Sequence, residues 1–470
     1  VSYRPRLILA GLSGGSGKTT ITLGVARAWV RHGRKVKPYK KGPDYIDAVW
    51  LGLAARATAA NLDPFLMSSA TLRNLFFATA SPDDLALVEG NRGLFDGKDV
   101  DGSCSTAHLA RTLDAPVVLV MDCTKMTRTA AAVVGGIQKF EPELNLAGVV
   151  CNRTAGERHR AILRRAIEHY TDVPVLGCLP KIDPDPIPER HMGLVSHREH
   201  HGADAILDQL ADVAGQWIDL DRLLAVAETP TPGHTPDTPA ATAASDLWPA
   251  AIPGEPVRIG YVRDAALWFY YEENLDALRA AGAELVELSV LDTAPWPELH
   301  GLYLGGGFPE TQAADIAANH GVLDHIRTLA RTGAPIYAEC GGFMFLGENL
   351  TVGDVTYPMA GVLPVSTTLC AKPQGLGYTE ARVTRENPFF AKDSLLRGHE
   401  FHYSRCIAAP DAVTLPMALH MERGTGMLDH DDGLLLDNTF AAYNHIHALS
   451  TPQWAPNFIA AARAYRARRR

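Results

Sequence analysis

Two stretches of this chain carry residue types at spacings that do chemistry. The first is Leu7-Ile-Leu-Ala-Gly-Leu-Ser-Gly-Gly-Ser-Gly-Lys-Thr-Thr20, an apolar run that breaks into a Gly/Ser-rich turn and then into a helical pattern. Backbone N–H groups from Gly14, Gly15, Ser16 and Gly17 through Thr20 can curl around a polyphosphate; the helix N-terminus adds partial positive charge, and Lys18 reaches the outer phosphates. Thr19 is the residue type that holds magnesium in such a loop. The spacing departs from the standard pattern, because Gly11 lies six residues before Gly17 where five is usual.

The second stretch is Pro335-Ile-Tyr-Ala-Glu-Cys-Gly-Gly-Phe-Met-Phe-Leu346. A short strand ends at Cys340, two glycines permit a tight turn and a helix begins, the architecture of a nucleophile elbow. A thiolate is favoured at a helix N-terminus, and the Gly341 N–H is available to an oxyanion. Cysteine is as often a small buried hydrophobe; the double glycine weighs toward the nucleophile. A base must come from elsewhere in the chain. Tyr443-Asn-His-Ile-His447 offers His445 and His447 at strand spacing, hence on one face, and Arg397-Gly-His-Glu-Phe-His-Tyr403 offers two more. The latter lacks the His-Glu-x-x-His spacing of a zinc site, and structural histidines suit it better.

These side chains need a scaffold. Apolar runs alternate with helical patterns from residue 7 to about residue 179, which means a parallel sheet with helices on both faces. Glu89 ends the run Leu85-Ala-Leu-Val-Glu89, at the carboxyl end of a buried strand where such sheets put ligand-binding residues. It is a candidate for magnesium, with a strand-end surface acid as the bland alternative. Lys35-Val-Lys-Pro-Tyr-Lys-Lys-Gly-Pro-Asp-Tyr-Ile-Asp47 packs four lysines and two aspartates into one strand and loop, which suits an anionic substrate plus a metal, although a charge run of this kind is more often a solvated loop. Asp96 sits in a Gly-flanked loop that could face the same cleft. Asn152, at a strand end, could read a nucleotide base or form a turn. Pro184, Pro186 and Pro188 stiffen the approach to Arg190-His-Met-Gly-Leu194.

Composition shifts at Glu228-Thr-Pro-Thr-Pro-Gly-His-Thr-Pro-Asp-Thr-Pro239, which cannot pack a core and reads as a linker. The expected division is a domain at 1–227, a linker at 228–255 and a second α/β domain at 256–470, where Gly305-Gly-Gly-Phe-Pro-Glu310 follows a strand and brings backbone N–H groups close to a ligand. A chain of 470 residues is long enough for two full cores. A formal charge of −9 argues against nucleic acid as the main partner, and the basic tail Arg463-Ala-Tyr-Arg-Ala-Arg-Arg-Arg470 reads as a solvated helix end. Seven scattered cysteines with no Cys-x-x-Cys pair fit a reducing cytoplasm. No apolar run reaches the length of a membrane span and no signal-peptide pattern is present, so a cytoplasmic protein is expected, without a membrane partner; a homo-oligomer stays open.

Eight ordered motifs together resemble the cobyrinic acid a,c-diamide synthase family: Gly11 to Thr20, Lys41-Gly-Pro-Asp-Tyr-Ile-Asp47, Asn61-Leu-Asp-Pro-Phe65, Val88-Glu-Gly90 with Gly93-Leu-Phe-Asp-Gly97, Glu189-Arg-His-Met-Gly-Leu194, Leu304-Gly-Gly-Gly-Phe-Pro-Glu310, Glu339-Cys-Gly-Gly342 and Arg397-Gly-His-Glu-Phe-His-Tyr-Ser404. The resemblance implies a dethiobiotin-synthetase-like P-loop domain and a class I glutamine amidotransferase domain of flavodoxin-like α/β fold. It implies a ligase that uses ATP, Mg2+ and glutamine to amidate two carboxylates of a corrin precursor of cobalamin, through an acyl phosphate and glutaminase-derived ammonia. In that family's terms Thr19, Asp44 and Glu89 hold magnesium. The nucleotide meets the loop from Gly14 to Thr20 and Asn152, while Lys37, Lys41, Asp44, Asp47 and Asp96, with Lys40, place the macrocycle. Cys340 is the nucleophile and His445 its base, and Gly306 or Gly307 with Gly341 form the oxyanion hole. The third triad position, usually a carboxylate two residues after the base, is His447 here. The same chemistry on hydrogenobyrinic acid or nickel sirohydrochlorin fits the motifs equally. A nucleotide-switch protein of the ParA/MinD kind fits less well, because Leu12-Ser13-Gly14 lacks the extra lysine of those loops.

Overall fold

The computed structural model describes residues 3–182, 189–190, 193–194, 202–230, 244–249, 253–409 and 415–469. It divides into two compact units, Val1–Leu247 and Trp248–Arg470. Much of the expected linker, residues 231–243 and 250–252, lies outside the described residues, as do Pro184, Pro186, Pro188, His191 and Met192. Among the described residues no helix is long and apolar enough to cross a membrane.

The first unit alternates β1 (Arg6–Gly11), α1 (Lys18–Arg31), β2 (Val36–Lys41), α2 (Tyr45–Ala55), β3 (Ala60–Leu62), α3 (Ser69–Thr79), β4 (Leu85–Gly93), α4 (Thr106–Leu113), β5 (Val117–Asp122), α5 (Thr129–Phe140), β6 (Leu146–Thr154), α6 (Glu157–Thr171) and β7 (Val175–Pro180). A two-residue ladder, β8 (Glu189–Arg190) with β9 (Gly193–Leu194), precedes α7 (Ala203–Trp217) and α8 (Leu220–Glu228). Strands β1 to β7 form one parallel sheet in the order β3-β2-β4-β1-β5-β6-β7. Leu7, Ile8, Leu9 and Ala10 of β1 and Val117 to Met121 of β5 are fully buried, as strands covered by helices on both faces must be. Each such Leu, Ile or Val side chain contributes about 1.5–3 kcal/mol of burial. The strand order sets β4 between β1 and β2, so the carboxyl ends of these three strands share one edge of the sheet.

In the second unit β10 (Val257–Val262), β11 (Leu267–Phe269), α9 (Glu272–Ala281), β12 (Ala283–Leu288), β13 (Gly301–Leu304), β14 (Gly306–Gly307), α10 (Ala313–Ala318), α11 (His320–Arg331), β15 (Ile336–Glu339) and α12 (Gly341–Leu346) lead to a largely antiparallel half. That half comprises β16 (Asn349–Val352), β17 (Val355–Pro358), β18 (Val365–Leu369), β19 (Gly375–Val383), β20 (Leu395–His402), β21 (Ser404–Ala408), β22 (Met417–Arg423), β23 (Asp431–Leu436), β24 (Thr439–Ala442) and β25 (His445–Ile446), closed by α13 (Trp454–Arg469). The main sheet runs β12-β10-β13-β15-β24-β23-β22-β19-β20-β25, parallel from β12 to β24 and antiparallel beyond. Chain positions 442 and 445 are close neighbours, yet β24 lies mid-sheet and β25 pairs with β20 at its end. The sheet therefore curls back on itself, and the curl brings β20 against the segment that follows β24.

Candidate functional site

In the first unit the loop between β1 and α1 closes on a left-handed Gly17, φ 83°, which starts α1 at Lys18. A Cβ on Gly17 would lie 2.2 Å from Asn152 Nδ2, so only glycine fits both the backbone angle and the space. Asn152 Nδ2 donates to the Ser16 carbonyl at 3.0 Å, and Arg153 Nη1 donates to the Gly15 carbonyl at 2.9 Å while pairing with Asp122 at 2.7 Å. Asp122 and Asn152 are register partners on β5 and β6, so both braces come from β6, the second strand from β1, with Asp122 of the intervening β5 supporting Arg153. Among the described residues nothing lies within 4 Å of a Cβ built on Gly14 or Gly15, which leaves that side of the loop open to a ligand.

Lys18, Thr19 and Glu89 meet at one point. Thr19 Oγ1 donates to Glu89 Oε1 at 2.6 Å, and Lys18 Nζ lies 4.0 Å from the same oxygen. Glu89 is fully buried, and its Oε2 has no hydrogen-bond partner among the described residues. An orphaned, buried carboxylate oxygen beside a threonine hydroxyl fits a magnesium ion, whose hard-oxygen ligands such residues are.

Lys40 is the residue that motif reasoning misjudged. It is Glu89's register partner on β2, fully buried, with Nζ 2.6 Å from Asp47 Oδ2 and 2.8 Å from Glu89 Oε1. Burial alone would pull its ammonium down; Asp47 and Glu89 outweigh that and hold it well above the ordinary lysine range. A lysine so engaged is not offered to a macrocycle. Asp44 caps α2, accepting from the Asp47 N–H at 2.9 Å, and burial together with the Asp47 charge pushes its carboxyl up to about 6. Lys41 is buried, its ammonium pulled down by desolvation and supported by Asp63. Lys37 points elsewhere, donating to the Thr58 carbonyl at 2.7 Å from near the start of β2. Asp96 is exposed and caps its own turn through the Gly93 N–H at 2.9 Å. Of the acids and lysines expected at the cleft, the fold thus gathers Lys18, Asp44, Asp47 and Glu89 around Lys40, and leaves Lys37 outside that group.

In the second unit Cys340 sits at φ 46°, ψ −100°, a strained conformation held by its N–H to the Ala442 carbonyl at 2.7 Å. A Cβ on Gly341 would lie 2.8 Å from the Gly307 nitrogen, and one on Gly306 would lie 2.7 Å from His445 Cε1. The nucleophile candidate, both glycine segments and His445 are therefore packed with no room for a methyl group between them. The expected thiolate at the helix start is not what the environment favours. Burial pushes the Cys340 thiol up, Glu310 adds to this, and the Gly341 N–H only partly opposes it. Helix α12 has six residues, too short a dipole to offset full desolvation.

His445 Nδ1 lies 3.4 Å from Glu339 Oε2. His399, its partner across β20 and β25, stacks on it with centroids 4.9 Å apart and rings 17° from parallel. Burial, with His445 and His447 nearby, keeps His399 neutral, well below the usual histidine value. His447 turns away. Its Nδ1 accepts from the Leu449 N–H at 3.2 Å and its Nε2 faces Glu273 of α9 at 3.7 Å, beside the Tyr271 ring. The Arg397-to-Tyr403 motif is structural in part. Glu400 accepts from the Thr425 and Gly426 N–H groups, and His402 stacks on Tyr443 with centroids 3.6 Å apart. Among the described residues no group of three or more His, Cys, Asp or Glu is arranged to hold a metal ion.

Residues 7–194 match the model of the CobQ/CobB/MinD/ParA nucleotide binding domain, and residues 258–453 that of the CobB/CobQ-like glutamine amidotransferase domain. A protein of Magnetococcus marinus described as cobyrinate a,c-diamide synthase is 42% identical over 455 residues, 97% of this chain and 96% of its own. The chain belongs to the cobyrinate a,c-diamide synthase family. Family members of the same description from Salmonella typhimurium, 38% identical over 461 residues, and Archaeoglobus fulgidus, 37% identical over 456, each cover 97% of this chain and 98% and 97% of their own. The family's architecture, a nucleotide-binding unit joined to a glutamine amidotransferase unit, makes this chain a glutamine-dependent amide ligase that uses ATP.

Proposed function

We propose that this chain amidates the a and c side-chain carboxylates of cobyrinic acid in cobalamin biosynthesis, with ATP and Mg2+ in the first unit and glutamine in the second. The observation that carries the reading is the pair of built sites in one chain: a braced phosphate loop ending on Thr19 and Glu89, and a strained Cys340 packed against Gly306, Gly307, Gly341 and His445.

A carboxylate resists attack by ammonia, so it must first be activated as an acyl phosphate. Lys18 and the loop N–H groups from Gly14 to Thr20 meet the phosphates and stabilise charge on the transferring group. Thr19, Glu89 and Asp44 would hold the magnesium ion, which supplies neutralisation of phosphate charge. Lys40 fixes Glu89 and Asp47 in place through its two ion pairs; Asp47, Lys41 and Asp96 line the approach for the substrate, and Asn152 braces the loop where the nucleotide sits.

In the second unit His445 accepts the Cys340 proton as sulfur attacks the glutamine side-chain carbonyl carbon. The developing oxyanion is met by the N–H groups of Gly341 and of Gly306 or Gly307. Collapse breaks the C–N bond, the imidazolium returns its proton to the departing nitrogen, and water hydrolyses the glutamyl thioester to glutamate. Because the thiol is held protonated by burial, proton removal by His445 accompanies attack.

Mass spectrometry of products from separate incubations with cobyrinic acid, hydrogenobyrinic acid and nickel sirohydrochlorin, each with ATP, Mg2+ and glutamine, tests the reading. Two amidations of cobyrinic acid are expected; two amidations confined to another macrocycle would move the substrate assignment, and none with any of the three would overturn it.

A further inference from the structure

The residue two positions after the base, where the triad carboxylate is expected, is a histidine whose two ring nitrogens are turned to Leu449 and Glu273. A carboxylate reaches His445 from a different strand. We propose that Glu339, the residue immediately before the nucleophile, is the positioning residue that orients His445 and stabilises its imidazolium, in place of a carboxylate at position 447. The inference rests on the glutaminase reading of Cys340 and His445.

Four features of the site carry it. Glu339 is the last residue of β15, so the residue that orients the base and the nucleophile leave the same strand end side by side. Its side chain is wholly buried, yet no lysine or arginine among the described residues pairs with it; the ion-pair partner within 4 Å is His445. Its oxygens are instead held by neutral donors. Oε2 accepts from Tyr303 O–H at 3.2 Å, itself held by Asn274, and Oε1 accepts from Tyr337 O–H at 3.1 Å. The remaining donor is the Ile446 N–H, 3.1 Å from Oε1, so the carboxylate grips the backbone one residue beyond His445 as well as facing its ring.

A buried carboxylate with only neutral donors is costly to keep. It becomes useful when a positive charge forms beside it, as on His445 when the Cys340 proton is taken. With Nδ1 3.4 Å from Glu339 Oε2, Nε2 is assigned the proton exchange with the thiol. The other ionisable groups around His445 are His399 from β20, His447 on its own segment and Cys340 after β15, with Glu273 beyond His447. His399 is held neutral, so it presents a flat uncharged ring to the imidazolium and does not compete for the carboxylate.

The test uses the full chain and two nitrogen sources. Glutamine hydrolysis and glutamine-dependent amidation are measured for Glu339→Gln, Glu339→Asp, His447→Ala and Cys340→Ala, with ammonia-dependent amidation as the check that each variant folds. Glu339→Gln is expected to lower kcat for glutamine by about 100-fold or more with little change in KM, up to the ~10⁴-fold drop that follows when a serine-protease triad carboxylate becomes an amide. It should also move the acid limb of the kcat/KM profile to lower pH, because imidazolium loses its counter-charge. Glu339→Asp should recover part of the rate, His447→Ala should leave the limb in place, and ammonia-dependent amidation should persist throughout. Unchanged kcat and acid limb in Glu339→Gln, with Cys340→Ala inactive, would overturn the role of Glu339 alone. Glutamine turnover surviving in Cys340→Ala would instead overturn the glutaminase reading beneath it.

Discussion

Replacing Lys40 by methionine removes the single positive charge shared by Asp47 and Glu89, at nearly constant volume. In the native chain Lys40 Nζ lies 2.6 Å from one carboxylate and 2.8 Å from the other, and Lys40 and Glu89 are both fully buried. Breaking a buried pair by removing one partner costs about 3–5 kcal/mol, and Glu89 would then be left with the longer pair to Lys18, 4.0 Å from its Oε1. For a unit of this size each kcal/mol lowers the midpoint by about 2–4 °C, so the first unit's melting transition should fall by about 6–20 °C in Lys40→Met. Calorimetry of the full chain reads this directly. The double variant Lys40→Met/Glu89→Leu should recover part of the loss, since no buried charge is then left without a partner on β4, while ATP-dependent amidation remains absent. Lys37→Met, whose ammonium donates to the Thr58 carbonyl and lies over the Tyr39 ring at the surface, should move the midpoint by less than about 1 °C. The reasoning fails if Lys40→Met melts like the parent and merely raises KM for the macrocycle, as a lysine free to dock an anionic ring would.

Three further outcomes follow from single contacts. Gly17→Ala should abolish ATP-dependent amidation and leave glutamine hydrolysis intact, because its Cβ would meet Asn152 Nδ2 at 2.2 Å on a backbone with φ 83°; normal nucleotide binding in that variant would contradict the bracing role of Asn152. Gly306→Ala should do the reverse, its Cβ falling 2.7 Å from His445 Cε1, so glutamine turnover should drop at least tenfold while ammonia-dependent amidation persists; equal loss with both nitrogen sources would point to misfolding. Asp432 gives a pH dependence. Burial pushes its carboxyl up to about 6 against the pull of the Tyr443, Gly433 and Asn444 N–H groups, so between about pH 4 and 6 the folded chain binds more protons than the unfolded one. The stability from this group is therefore present at the acidic side of that window and is lost as pH rises through 6. The midpoint difference between the parent and Asp432→Asn should shrink from pH 5 to pH 7.5, and a difference that grows would show the sign to be wrong.

What could be read without coordinates is what depends on neighbours in sequence. The β1 strand, its glycine loop and Lys18 at the helix start form one contiguous chemical unit, and so does β15 running into Cys340 and two glycines. Glu89 was legible because an acid inside an otherwise apolar strand has few reasons to be there. Lys40 was not, since a lysine in a lysine-rich stretch looks solvated until the order β2-β4-β1 sets it beside Glu89 in the interior. Arg153 carried no signal either; it braces Gly15 only because β5 and β6 follow β1 in the sheet.

The amino-acid sequence by itself determined the two chemistries, a phosphate cradle and a cysteine elbow, because each is encoded within about a dozen consecutive residues whose backbone freedom and side-chain type are local properties. Tertiary structure decided what surrounds them. The curl of the second sheet stacks His399 on His445, brings Glu339 to its Nδ1 and turns His447 to α9, and burial at the elbow raises the thiol that a helix start alone would lower. Those outcomes depend on strand order and desolvation, which are set by residues more than a hundred positions apart in the chain, as Glu339 and Ile446 are.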